Sequence, residues 1–150
     1  MSRGWTGVVC GALLLLAGCA GADPEPATAL TPLPQAQVYP FLTVWECCLE
    51  ASEREGFTIK RSDRDGDRGE WVTEYKVTFR DAVERRDRAH RLHGTVEPAG
   101  EGSFTVHVAA SEFVADEGGE WSYKGADPEL RGRFERGLHQ SLGRRYQGNR

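Results

Sequence analysis

Two long stretches of alternating apolar and polar residues flank the turn segment Pro98-Ala99-Gly100-Glu101-Gly102 in this chain. Such alternation is typical of strands with one buried face, and a Gly/Pro-rich segment between two of them indicates a tight hairpin. We therefore predict antiparallel strands at 88–97 and 103–114. A turn centred on Gly100 would pair Val96 with Phe104 and Leu92 with Val108, which places both pairs on one face.

Two further strands are predicted before this hairpin, at 57–61 and 70–79. In the second of them the bulky residues alternate with polar ones, so we expect one set to face the protein interior. That set is Trp71, Thr73, Tyr75, Val77 and Phe79. A charged connecting segment at 80–87, with one helical turn at most, follows this strand.

An amphipathic helix is predicted at each end of the strand region. The first runs from about Pro40 to Glu55 and stops at Gly56, because glycine readily ends a helix. The second begins after Asp127, a good N-cap residue, with Pro128 in the first helical position.

This element order predicts an α+β fold: a two-layer sandwich of helix, four-stranded antiparallel sheet and helix, with both helices on one sheet face. The other sheet face would be open to solvent, as antiparallel sheets allow. The single domain would span 38–147, with a short tail at 148–150.

Composition limits the classes of function. The chain of 150 residues has a formal net charge of -4, with 28% charged residues, which is ordinary for one globular domain. A dedicated nucleic-acid-binding protein would usually carry a basic stripe and a high pI, so we expect no nucleic-acid partner.

The N-terminus has the pattern of an export signal. Arg3 precedes an apolar stretch from Val8 to Ala17, which is too short to span a membrane as a helix. The stretch ends in Leu16-Ala17-Gly18-Cys19, which resembles the lipobox of bacterial lipoproteins. We predict a signal peptide at 1–18 and a Pro-rich tether at 19–37.

The lipobox resemblance implies a covalent diacylglycerol and an N-acyl chain such as palmitate on Cys19, with no other cofactor. Several acyl chains give a stable membrane anchor, whereas one chain alone does not. Ala20 follows the lipidated cysteine, and in enteric-type lipoproteins this implies sorting to the outer membrane, facing the periplasm.

The stretch from Ala51 to Tyr75 has a second resemblance. The segment runs in order through a helix that ends in Glu55-Gly56-Phe57, a strand, an Asp/Gly-rich turn and the stretch Trp71-Val72-Thr73-Glu74-Tyr75. This order is similar to small α+β lipoproteins of the bacterial envelope, such as modules of the outer-membrane β-barrel assembly machinery and the lipopolysaccharide-assembly lipoprotein. The resemblance implies an envelope location and supplies no catalytic residues.

A possible binding surface consists of Arg91, His93 and His107 on the open sheet face. In the register above, the two histidines face each other across the hairpin. Zinc or copper would need a further ligand that the sequence does not place beside them, so we predict no metal site. A paired polar position on a solvated face is the simpler interpretation.

Two other patterns have ordinary explanations. Asp63, Asp65, Asp67 and Glu74 have part of the spacing of a calcium loop, but Arg68 stands where that loop needs Gly, so a solvated hairpin turn is favoured. Cys47 and Cys48 are adjacent in a helix and do not readily bond to each other. We expect Cys48 to be buried, while Cys47 could be a free thiol open to an intermolecular disulfide.

Motifs for hydrolases, metalloproteases and phosphate-binding loops are missing from the sequence, so an enzyme is not expected. The leading hypothesis is a non-catalytic, lipid-anchored envelope protein, an adaptor or accessory factor in envelope assembly or maintenance, with an envelope protein as partner. The alternative is a periplasmic binding module for a small ligand, an anionic glycolipid or a metal on the open sheet face.

Overall fold

The computed structural model describes residues 31–32, 39–80, 83 and 86–148. The predicted signal peptide, Cys19 and most of the predicted tether lie outside these residues. Within them the chain forms two helices and a seven-stranded antiparallel sheet. The elements are β1 (Thr31–Pro32), α1 (Phe41–Arg54), β2 (Ile59–Asp65), β3 (Arg68–Thr73), β4 (Lys76–Phe79), β5 (Arg88–Gly100), β6 (Ser103–Ala115), β7 (Trp121–Ala126) and α2 (Pro128–Gly148).

The sheet has the order β1-β6-β5-β3-β2, with β4 also paired to β5 and β7 also paired to β6. The α+β class is therefore confirmed, whereas the prediction of four strands is wrong. Two strands had no counterpart in the prediction. They are β1, inside the segment predicted to be a tether, and β7, after the acidic loop at 116–120.

A break in the predicted strand 70–79 also changes which residues face the helices. The chain leaves the sheet at Glu74 and Tyr75, where Glu74 N donates to Thr58 O over 2.8 Å. The Tyr75 ring then lies 4.9 Å from that of Phe113, on the face away from the helices, and Val77 pairs with Ala89. The expectation that both face the helices was wrong, because the break shifts the alternation by one residue.

The central hairpin of β5 and β6 has a different register from the predicted one. Val96 pairs with Val106 and Leu92 with Ala110. The turn is centred on Glu101 and Gly102, both with positive φ (51° and 75°), and Gly100 pairs with Ser103. Positive φ at both central residues is the geometry of tight hairpin turns. The partners on β6 move by an even number of positions, so the faces stay as predicted.

One buried cluster joins both helices to the sheet. The indole of Trp71 is at its centre, fully buried, edge-on to Trp45 at 6.1 Å and stacked on Phe134 at 6.0 Å. Helix α1 ends as predicted, with Gly56 at φ 78°. Helix α2 begins at Pro128, and Asp127 Oδ1 accepts the Leu130 N–H over 2.9 Å, as predicted for an N-cap.

Candidate functional site

The sheet face opposite the helices, which we call the distal face, carries all three residues predicted as a binding surface. Arg91, His93 and His107 alternate with buried residues of β5 and β6 whose side chains belong to the helix-packed cluster. The hairpin register places His107 opposite Thr95 and His93 opposite Ala109. The two histidines are therefore diagonal neighbours, and the expectation that they face each other directly was wrong.

Arg91 lies within an aromatic cluster on the distal face. Its guanidinium carbon is 5.0 Å from the ring centroids of both Tyr75 and Phe113, and Nη1 donates to the Tyr75 hydroxyl over 3.2 Å. Trp121 stacks on Tyr75 at 5.4 Å, and Tyr123 packs edge-on against Phe113 at 5.8 Å. Contact with two ring faces holds the arginine in place, since cations are attracted to aromatic rings.

His93 belongs to a chain of charged side chains. Its Nε2 lies 2.8 Å from Glu70 Oε1, and the same oxygen accepts a hydrogen bond from Arg61 Nη2 over 3.1 Å. Arg61 Nε in turn lies 3.1 Å from Asp63. His107 Nε2 is 4.0 Å from Glu97 Oε2. Each histidine of the predicted surface thus has a carboxylate of its own.

In the described parts of the chain, no three His, Cys, Asp or Glu side chains lie close enough together to form a metal site. The aspartates with partial calcium-loop spacing lie on and beside the β2–β3 hairpin. Asp63 pairs with Glu70 and Asp65 with Arg68, on either side of a turn at 66–67.

Both cysteines of α1 are fully buried. Burial raises the pKa of the Cys47 thiol and raises that of Cys48 well above its ordinary value. The burial of Cys48 was predicted. The possibility that Cys47 is a free thiol open to an intermolecular disulfide is not supported, because this free cysteine is also buried. Arg145 of α2, which is paired with Glu46, is near enough to lower the pKa of the Cys47 thiol against the effect of burial.

The basic residues of α2 largely face acidic residues of α1. Arg133 Nε donates to Glu55 Oε2 over 3.0 Å, and Arg145 is bonded to Glu46. The hydrogen bond to Glu55 is the main reason that the pKa of Arg133 is raised, and the bond to Glu46 has the same effect on Arg145. These pairs join the two helices and reduce the local positive charge of the helix.

Sequence reasoning missed a second group of polar residues, which lie on the helix side of the sheet next to the first residues of α2. There a cleft of about 580 Å³, which we call the end cleft, opens at the ends of β4, β5 and β7. It is lined by Thr78, Phe79, Arg88, His90, Glu112, Ala126, Asp127 and Pro128.

Two close side-chain pairs line the end cleft. His90 Nδ1 lies 2.8 Å from Asp127 Oδ2, with both side chains less than one-fifth exposed (19% and 18%). Arg88 Nη1 lies 3.5 Å from Glu112 Oε1. The alternation of β5 could have placed His90 on the helix side, but its partner Asp127 is distant in sequence and was recognised only as a helix cap.

No protein-family model matches the chain, and a search of the curated proteins gives no significant match. None of the helices in the described residues has the length and apolar character needed to cross a membrane.

Proposed function

We propose that this chain is a lipoprotein of the bacterial cell envelope that acts by binding a partner protein and not by catalysis. The observation that carries the proposal is the lipobox Leu16-Ala17-Gly18-Cys19, placed directly after an apolar stretch of signal-peptide length. A diacylglycerol on the Cys19 sulfur and an acyl chain on its amino group would anchor the protein. Ala20 favours the outer membrane, with the domain in the periplasm.

The helices and the sheet would form two layers, so that the distal face is the surface offered to an envelope partner. Its central charged side chains support a contact surface, because Arg61 and His93 are both held against Glu70. Donors and acceptors fixed in this way add specificity to a protein interface more than raw affinity.

The position of β1 would bring the proposed membrane anchor close to the β6 edge of the sheet. Thr31 and Pro32 pair with Val108 and His107, so the tether reaches the domain at the β6 edge. Only the segment from Ala20 to Leu30 then separates the lipid from the sheet. A chain of ~11 residues spans at most about 40 Å, which would keep the domain near the bilayer surface.

Metabolic labelling with an alkyne analogue of palmitate tests the anchor. The full-length protein should incorporate the label, and Cys19→Ala should abolish it. Cys10→Ala is a matched control, since Cys10 lies within the predicted signal peptide and should be dispensable. Label that persists in the Cys19→Ala protein would refute lipidation at this residue.

Photo-crosslinking in intact cells tests the partner. A crosslinking amino acid at Thr105 on the distal face should capture one dominant envelope protein, whereas the same group at the exposed Glu53 of α1 should not. Equal capture from both positions, or capture from neither, would contradict the adaptor role. Binding of a small ligand or glycolipid that is lost when Arg91, His93 and His107 are replaced together would favour the alternative function.

A further inference from the structure

The end cleft contains one histidine close to the carboxylate that caps α2. Asp127 Oδ1 caps α2 through the Leu130 N–H, and its Oδ2 lies 2.8 Å from His90 Nδ1. The Asp127 N–H also donates to Ala110 O over 2.7 Å, which ties this carboxylate to β6. The close approach of Asp127 Oδ2 to His90 does not have hydrogen-bond geometry, and the buried Nδ1 of His90 has no hydrogen-bond partner among the described residues.

The charged groups that line the end cleft are largely offset. Arg88 is paired with Glu112, and the Asp127 carboxylate caps the N-terminus of α2, whose dipole favours a negative charge, so the cleft offers donors and acceptors without a strong field of either sign. A ligand with a large net charge would gain little from such a lining. A neutral ligand with many hydroxyl groups could instead hydrogen-bond to guanidinium, carboxylate and imidazole groups together.

An aromatic ring lies beside these polar groups. Phe79 lines the cleft and is 54% exposed, so the ring is accessible to a ligand in the cleft. A sugar ring has hydroxyl groups at its rim and an apolar C–H face that packs well on such a ring. The volume of about 580 Å³ is within the range of small-molecule sites.

We propose that the end cleft is a saccharide-binding site, in which Phe79 packs against the face of a sugar ring while Arg88, His90 and Glu112 bind its hydroxyl groups. The cleft lies on the helix side of the sheet, away from the distal face. It therefore goes beyond the adaptor role, and its failure would leave that role untouched.

Calorimetric titration of the full-length protein in a sugar-free zwitterionic detergent tests the site. The probes are cellobiose, maltose and N,N′-diacetylchitobiose, with benzoate and benzylamine as charged aromatic comparisons. We expect saturable binding of at least one disaccharide in about the millimolar range. Phe79→Ala should weaken that binding about tenfold or more, and Arg88→Gln should weaken it as well.

Leu42→Ala is the matched control, because Leu42 is an apolar residue of similar exposure (51%) on α1, outside the lining of the cleft. It should leave sugar affinity unchanged. The proposal is overturned if none of the three sugars binds at about 10 mM, or if only the charged aromatic compounds bind. It is equally overturned if Phe79→Ala, folded by its thermal transition, binds the sugar as the parent protein does.

Discussion

Gly94 and Trp71 pack so closely that the β5 strand has no room for a side chain at this position. A Cβ on Gly94 would lie 2.2 Å from Cη2 of Trp71, and the two residues are directly paired across β3 and β5. The indole thus lies flat over the backbone of the neighbouring strand. The position of Trp71 at the centre of the core therefore depends on this glycine.

Gly94→Ala should destabilise the protein by about 1–3 kcal/mol or more, because the added methyl group forces the fully buried indole out of its position. Gly125→Ala on β7 is the matched control, since no atom lies within 4 Å of a Cβ there. Urea denaturation measures both. Equal stability of the two variants would show that the Trp71 indole can move at low cost.

Ser52→Ala should cost about 1–3 kcal/mol of unfolding free energy. The Trp71 Nε1–H donates to Ser52 Oγ over 3.1 Å inside the core, and the substitution leaves this buried donor without its acceptor. Ser141 is also buried, but its hydroxyl has no hydrogen-bond partner within the described residues. Ser141→Ala should therefore be neutral or stabilising, and a larger loss at Ser141 than at Ser52 would contradict this assignment.

Cys47 and Cys48 should resist thiol reagents in the folded protein and react fully in urea, as a colorimetric thiol assay would measure. Both are fully buried, and burial raises their pKa above the ordinary value of 9.0. Rapid labelling of the native protein at pH 8 would contradict the buried positions.

The same shifts predict a loss of stability in alkali. A thiol whose pKa is raised by folding stays protonated in the native state, while the unfolded chain releases its proton above pH 9.0. Stability from this source is complete below that pH and falls as the pH rises further. The free energy of unfolding should therefore fall less steeply between pH 8 and about 10.5 in Cys48→Ala than in the parent protein. Parallel pH profiles would refute the contribution of Cys48.

Asp127→Ala should destabilise the protein by about 0.5–2 kcal/mol, since it removes the cap of α2. Asp127→Asn keeps an oxygen for the Leu130 N–H and should recover most of that loss. Thermal denaturation of the two variants separates the capping bond from the contact with His90. Equal losses would mean that the His90 contact, and not the cap, accounts for the effect of Asp127.

Local sequence signals were sufficient for the helices and for the central hairpin. Helix α1 ends just before Gly56 and α2 starts at Pro128 after the Asp127 cap, because capping and backbone freedom depend on residues within one turn. The faces of β5 and β6 follow from alternation alone, so Arg91, His93 and His107 were correctly placed on one face. The register of β5 against β6 was not predicted correctly, because it depends on which turn residues take positive φ.

Other features were decided by contacts between residues distant in sequence. Tyr75 turns to the distal face because Phe113 and Trp121 offer rings to stack on, and these rings come from strands that follow it in the chain. Strand β7 is short and contains Gly125, so only its pairing with β6 makes it a strand.

The amino-acid sequence by itself determined the α+β class, the end of α1, the start of α2 and the alternation of the hairpin strands, because each of these depends on neighbours along the chain. The tertiary structure alone decided the edge strands, the aromatic setting of Arg91 and the end cleft. His90 Nδ1 and Asp127 Oδ2 lie 2.8 Å apart only because the start of α2 packs beside the first residues of β5. No local pattern encodes that distance, since it arises from the packing of a helix against a sheet.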